Sequence, residues 1–110
     1  MVFENVQNLR KRARVIIDTR GLNSSQDAFS MLSFLENVQG IWHLAGVLRD
    51  SSIAKMTEEN WNLVINTKKQ AIYLDQALED LDIEIQTFCV FSSVSNRFGN
   101  FGQSNYIMGC

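Results

Sequence analysis

The sequence predicts an α/β fold: part of a parallel sheet with helices on its faces. Three observations carry that reading. Short apolar runs suited to strands alternate with helical patterns, in the order helix, strand, helix, strand, helix, strand, helix. Such alternation marks parallel sheets, whose strands need crossover connections. The chain of 110 residues, 45% hydrophobic and 20% charged, has the makeup of a soluble globular domain. It holds no internal repeat and no low-complexity linker, so a single unit is expected.

Residues 2 to 12 read as a short polar helix. Val15-Ile16-Ile17 is a compact β-branched run ending at Asp18, Thr19 and Gly21, which predicts a buried strand. Ser24 or Ser25 can cap the next helix, Asp27 suits its positive end, and Ala28, Met31, Leu32 and Leu35 recur at helical spacing. Gly40 ends that segment, and Ile41-Trp42-His43-Leu44-Ala45 predicts a second strand stopping at Gly46, with His43 packed inside. Val47 to Met56 reads as loop or a short helical turn. Thr57 then caps a long helix to about Asp80, with Glu58 and Glu59 in its first turn as the helix dipole favours. Thr87-Phe88-Cys89-Val90-Phe91 suits a strand covered on both faces. A loop with Gly99 and Gly102 leads to Tyr106 at the start of a last helix.

The net charge of −2 gives no reason to expect nucleic acid as a partner, since phosphate binding draws on clustered positive charge. Arg10, Lys11, Arg12 and Arg14 form the one basic cluster, which reads as the solvated end of a helix, with capture of a nucleotide phosphate the minority alternative. No apolar stretch approaches the roughly 20 residues of a membrane helix, no signal peptide is visible, and a cytoplasmic location is expected. Cys89 and Cys110 make neither a disulfide framework nor a metal-ligand spacing, so no metal is expected.

In open α/β sheets, ligands bind beyond the carboxyl ends of the strands. Those positions here are Asp18 to Leu22, Ala45 to Leu48, and Ser92 to Asn105, the last rich in hydroxyls. The long helix adds a second signal. Trp61, Val64 and Ile65 mark its apolar stripe, and Lys68, one heptad beyond Trp61, falls on the same stripe. A lysine aimed at a core either snorkels along the surface or has a function. Lys69, rotated by about 100°, is the ordinary solvated one. Further on, Leu74, Ala77, Leu78 and Leu81 form an apolar face out of phase with the first. The helix therefore reads as one residue short, or locally kinked, just after Lys68.

HLAGVLRDSSIAKMTEENW, the later FSSVSNRFGNFGQSNY and the spacing between them closely resemble the ketoreductase domains of animal-type fatty acid synthases and related polyketide synthases, within the short-chain dehydrogenase/reductase superfamily. The resemblance spans essentially the whole chain, weakly before about Gly40. It implies a partial Rossmann-like, doubly wound parallel sheet lacking the N-terminal strands. Residues 1–110 would be the middle portion of a ketoreductase domain, with the glycine-rich cofactor loop and the C-terminal part missing. The implied parent is an NADPH-dependent β-ketoacyl-[acyl carrier protein] reductase of a fatty acid synthase. A polyketide synthase ketoreductase is the alternative parent, and a non-catalytic structural remnant the alternative of another class. Implied partners are the substrate on its acyl carrier protein and other synthase domains of the same chain.

The resemblance also assigns roles. Tyr106 matches the tyrosine whose phenol gives a proton to the substrate ketone while NADPH gives hydride. Ser93, thirteen residues before Tyr106, matches the serine that polarises the carbonyl, a role for which Ser92 and Ser95 are out of step. Lys68 matches the lysine that holds the nicotinamide ribose and favours ionisation of the phenol, whose ordinary pKa is about 10. Ala45 and Gly46 would approach the nicotinamide half of the cofactor, and Leu22, beside Gly21, would offer its backbone near the adenine. Leu48-Arg49-Asp50 resembles the loop that accompanies reduction to the D-configured hydroxyl. The sequence departs from the family in three ways. No glycine-rich phosphate loop is present, no glycine follows Lys68, and Cys110 stands where an asparagine orients the lysine. The isolated chain is therefore expected to bind NADPH poorly, to be inactive and only marginally folded, and to leave the Val15 strand detached from the other two.

Overall fold

The computed structural model describes residues 2–110. Helix α1, Val2–Arg10, ends in a turn where the N–H groups of Arg12 and Ala13 donate to the Leu9 carbonyl. Arg10, Lys11, Arg12 and Arg14 are all exposed, as a solvated helix end requires.

Residues 14–23 are irregular, and here the structure corrects the sequence reading. Val15-Ile16-Ile17 forms no strand and pairs with none, leaving Ile16 67% and Ile17 59% exposed. β-branched residues favour extended backbone, but a strand exists only where its N–H and C=O groups find a neighbour. The expected detachment of this segment is what the structure shows. Beyond it, the exposed Asp18 carboxylate is clamped by the Arg20 guanidinium, which holds its pKa down at about 2.

Helix α2, Ser25–Ser33, is capped by Ser24, whose hydroxyl accepts from Asp27 N–H at 3.1 Å. Asp27 in turn accepts from Asn23 N–H at 3.0 Å, so the helix start ties back the residue that precedes its cap. Strand β1, Gly40–His43, is shorter than the expected run and releases Leu44 and Ala45 into the following loop. A single 3₁₀ turn spans Ile53–Lys55. Helix α3, Glu58–Asp80, starts where expected, with Thr57 Oγ1 accepting from Asn60 N–H at 3.1 Å. Strand β2, Thr87–Val90, is followed by a one-turn helix α4, Ser95–Phe98, and by α5, Ser104–Gly109.

The two strands pair in parallel, from Gly40 opposite Thr87 to His43 opposite Val90, and Phe91 N–H donates to the His43 carbonyl just beyond. The Ile41 and His43 side of the sheet meets α3: Ile41 packs on the core, and buried His43 Nε2 lies 3.2 Å from Gln70 Oε1. Trp42 on the other face is 59% exposed. β2 is not covered on both faces as expected, since Phe88 and Val90 reach solvent.

The core joins α2 to the second half of α3, with Ala28 and Leu32 against Leu74, Ala77 and Leu78. This resolves the phase change in α3. The helix runs unbroken from Glu58 to Asp80, and its two stripes serve two neighbours. The Trp61-Val64-Ile65-Lys68 stripe meets α5, where Gly109 lies against Ile65 and Lys68, while the later stripe meets α2. Its end closes in a Schellman arrangement, with Asp82 N–H donating to Glu79 C=O and Ile83 N–H to Leu78 C=O. Among the described residues no helix is long and apolar enough to cross a membrane.

Candidate active site

Three segments converge where β1 and β2 end: the loop after β1, the middle of α3, and α5. Gly46 leaves the first. A methyl group placed on it would lie 3.6 Å from Lys68 Nζ and 3.9 Å from Tyr106 Cε2. Lys68 projects from α3 with its stem against Gly109, so the half-buried lysine is held along its length. Its ammonium donates to the Phe91 carbonyl at 3.2 Å and stands 5.6 Å from the centre of the Tyr106 ring. That distance is within the range where a cation is drawn to an aromatic face.

Ser93 follows β2. Its hydroxyl accepts from Ser95 N–H at 3.2 Å, which leaves its own O–H for another acceptor. The neighbouring Ser92 donates to the Cys110 carbonyl at 3.2 Å, tying the serine segment to the far end of α5. Ala45 is exposed beside Gly46. Leu22 is elsewhere, its side chain packed on the α2–α3 core. The structure therefore brings Gly46, Lys68 and Tyr106 side by side. Ser93 is attached through Phe91 and Ser92, and Leu22 has a packing role.

The sequence reading passed over the residues that hold this arrangement. Gln103 donates to Asp50 Oδ2 at 3.2 Å and accepts from Asn100 at 2.9 Å, while Ser51 N–H donates to the Gly102 carbonyl at 2.8 Å. Gly102, at φ 71°, turns the chain there in a conformation glycine adopts freely. Asn105 is fully buried and bonded to the loop at Arg49 and to α3 at Asn60. The available signal was two amide side chains flanking the start of a helix.

The family model of the KR domain matches residues 8–110. The chain belongs to the ketoreductase (KR) family.

Among curated relatives, this ketoreductase chain is 35% identical over 94 residues to the squalestatin hexaketide synthase of Cochliobolus lunatus, covering 84% of the chain and 3% of that synthase. It is 38% identical over 73 residues to a highly reducing polyketide synthase of Emericella nidulans, covering 66% and 3%. Among solved structures, the N-terminal ketoreductase of the macrolactin assembly line superposes with a TM-score of 0.89 at 25% identity, covering 98% of this chain and 23% of that one. The first-module ketoreductase of phoslactomycin biosynthesis from Streptomyces gives 0.85 at 26% identity, covering 97% and 26%. The chain thus spans about 3% of the length of these synthases and about a quarter of the solved ketoreductases. The partial α/β sheet is accordingly of the Rossmann type. Polyketide synthase, the alternative parent, fits better than fatty acid synthase, and relatives of this kind are domains of large multidomain synthases.

Ketoreductases of this superfamily bind a nicotinamide cofactor. The residues present fit its nicotinamide-ribose half. Gly46 leaves an open face with no Cβ in front of Lys68 and Tyr106, and one hydrogen bond to Phe91 uses only one of the three ammonium donors of Lys68. Among the described residues no group of three or more His, Cys, Asp or Glu could hold a metal.

Proposed function

We propose that this chain is the middle portion of a polyketide synthase ketoreductase domain that reduces a β-ketoacyl chain, carried on an acyl carrier protein, to the β-hydroxyacyl form. NADPH is the proposed cofactor and would supply the hydride when bound. The contact of Lys68 with Tyr106 beside Gly46, at the carboxyl ends of both strands, carries the reading.

The residues then have distinct tasks. Tyr106 gives its phenolic proton to the carbonyl oxygen as that oxygen gains negative charge. Ser93, whose O–H is left over by its bond with Ser95, donates to the same oxygen and holds it. Lys68 opposes the charge left on the phenol and offers its remaining donors to the ribose hydroxyls. Ala45 and Gly46 let the backbone approach the nicotinamide closely, and Leu22 offers only its backbone near the adenine. A positioned proton donor of this kind contributes about 10²–10⁴-fold in rate.

The test is NADPH oxidation with a small ketone, catalysed by the complete polypeptide that carries this chain. Tyr106→Phe is expected to lower kcat by about 10²–10⁴-fold with the fold intact. A variant at full rate overturns the assignment. One observation favours a second reading, a non-catalytic ketoreductase-like module: Cys110 ends α5 with a thiol, a weak hydrogen-bonding group, where the resemblance expects an amide. A folded polypeptide that oxidises no NADPH would establish that reading.

A further inference from the structure

Asn105 has the only side chain larger than alanine, apart from Val64, that is completely buried among the described residues, and it is polar. A buried amide is costly unless its hydrogen-bonding groups are satisfied. Those of Asn105 are. Its Nδ2 donates to the Arg49 carbonyl at 3.1 Å, with the Asn60 carbonyl at 3.5 Å and the Met56 sulfur at 3.3 Å as further acceptors. Its Oδ1 accepts from Tyr106 N–H at 2.8 Å, one of the donors left free at the start of α5.

These partners belong to the three segments that make the site. Arg49 lies in the loop that holds Gly46, Asn60 lies in α3, which carries Lys68, and Tyr106 is the next residue in the chain. We infer that Asn105 is a positioning residue: one buried amide fixes α5 against the β1–α3 loop and α3, and thereby sets Tyr106 against Lys68. Gln103, the residue before α5, makes a parallel link to Asp50 in the same loop. Apolar packing could hold α5 in place but not at one height, because it has no direction. A hydrogen-bonded amide has one.

The inference rests on the proposed function for its kinetic effect, but not for the tether itself. In the complete polypeptide, Asn105→Leu keeps the volume and removes all four bonds, whereas Asn105→Asp keeps the acceptor for Tyr106 N–H and loses the donor. Both are expected to lower kcat at least tenfold with KM for the ketone within twofold, and to displace the pH profile of kcat. A role in stability alone would lower the melting temperature and leave that profile in place. Wild-type kcat and pH profile in either folded variant overturn the inference.

Amide exchange is the second readout. Tyr106 N–H should exchange at least tenfold faster in Asn105→Leu than in wild type, and stay protected in Asn105→Asp. Unchanged exchange in Asn105→Leu also overturns the tether. Should the wild-type polypeptide reduce no ketone, the proposed function falls, and the tether is judged on exchange alone.

Discussion

Gly46 shows how a residue without a side chain can shape a site. A methyl there would make only ordinary contacts, at 3.6 Å to Lys68 Nζ and 3.9 Å to Tyr106 Cε2, so the protein can accept it. Gly46→Ala should therefore leave stability within about 0.5 kcal/mol. The methyl would nevertheless occupy the face offered to the nicotinamide, and KM for NADPH should rise about tenfold, equivalent to ~1.4 kcal/mol. Steady-state kinetics beside thermal unfolding checks both, and an unchanged KM would remove Gly46 from the cofactor face. At this scale the sequence was partly legible. Lys68 was set apart from Lys69 because a cation on an apolar stripe is out of place, and the structure holds it between Gly109, Tyr106 and the Phe91 carbonyl. That carbonyl could not be read, since every residue has one and only the fold says which is free. Asn105 was hidden for the same reason: its partners at Arg49 and Asn60 are backbone groups brought together by tertiary packing.

Helix ends were the most legible elements, because capping is local chemistry. Ser24 and Thr57 both accept the bond that a cap should. The far end of α3 carries a cost, with Asp82 in the left-handed region at φ 53° where glycine is the easier residue. Asp82→Gly should stabilise the domain by about 1 kcal/mol, the scale of the left-handed penalty for a residue with a Cβ. A rise in the denaturant midpoint at unchanged m-value would show it, and a fall would mean that the Asp82 side chain contributes more than the strain. Strands were read less well. The Val15-Ile16-Ile17 run has the composition of a strand, but composition supplies no hydrogen-bonding neighbour. The two stripes of α3 were legible, but their two neighbours were not. A change of phase reads as a missing residue when one neighbour is assumed, and as sound design once α5 and α2 are both seen.

Taken whole, the molecule presents much apolar surface: Ile16, Ile17, Trp42, Phe88 and Val90 all reach solvent. The parallel pair β1–β2 is a sheet of only two strands, although parallel sheets are normally covered on both faces. The isolated 110-residue chain should therefore self-associate at micromolar concentration, and light scattering after gel filtration would show it. A monodisperse monomer with a cooperative melt would refute this. The order of alternating helices and strands was visible in the sequence because it follows from hydrophobic period, whereas coverage of the sheet depends on what packs over it. The links around Tyr106 also differ in how they would withstand heritable change. Lys68, Ser92 and Asn105 each supply a side-chain donor, and the acceptors at Phe91, Cys110 and Arg49 are main-chain carbonyls. Almost any substitution at an acceptor position leaves its carbonyl behind, so those three sites can drift without severing a link. The donor sites have no such freedom.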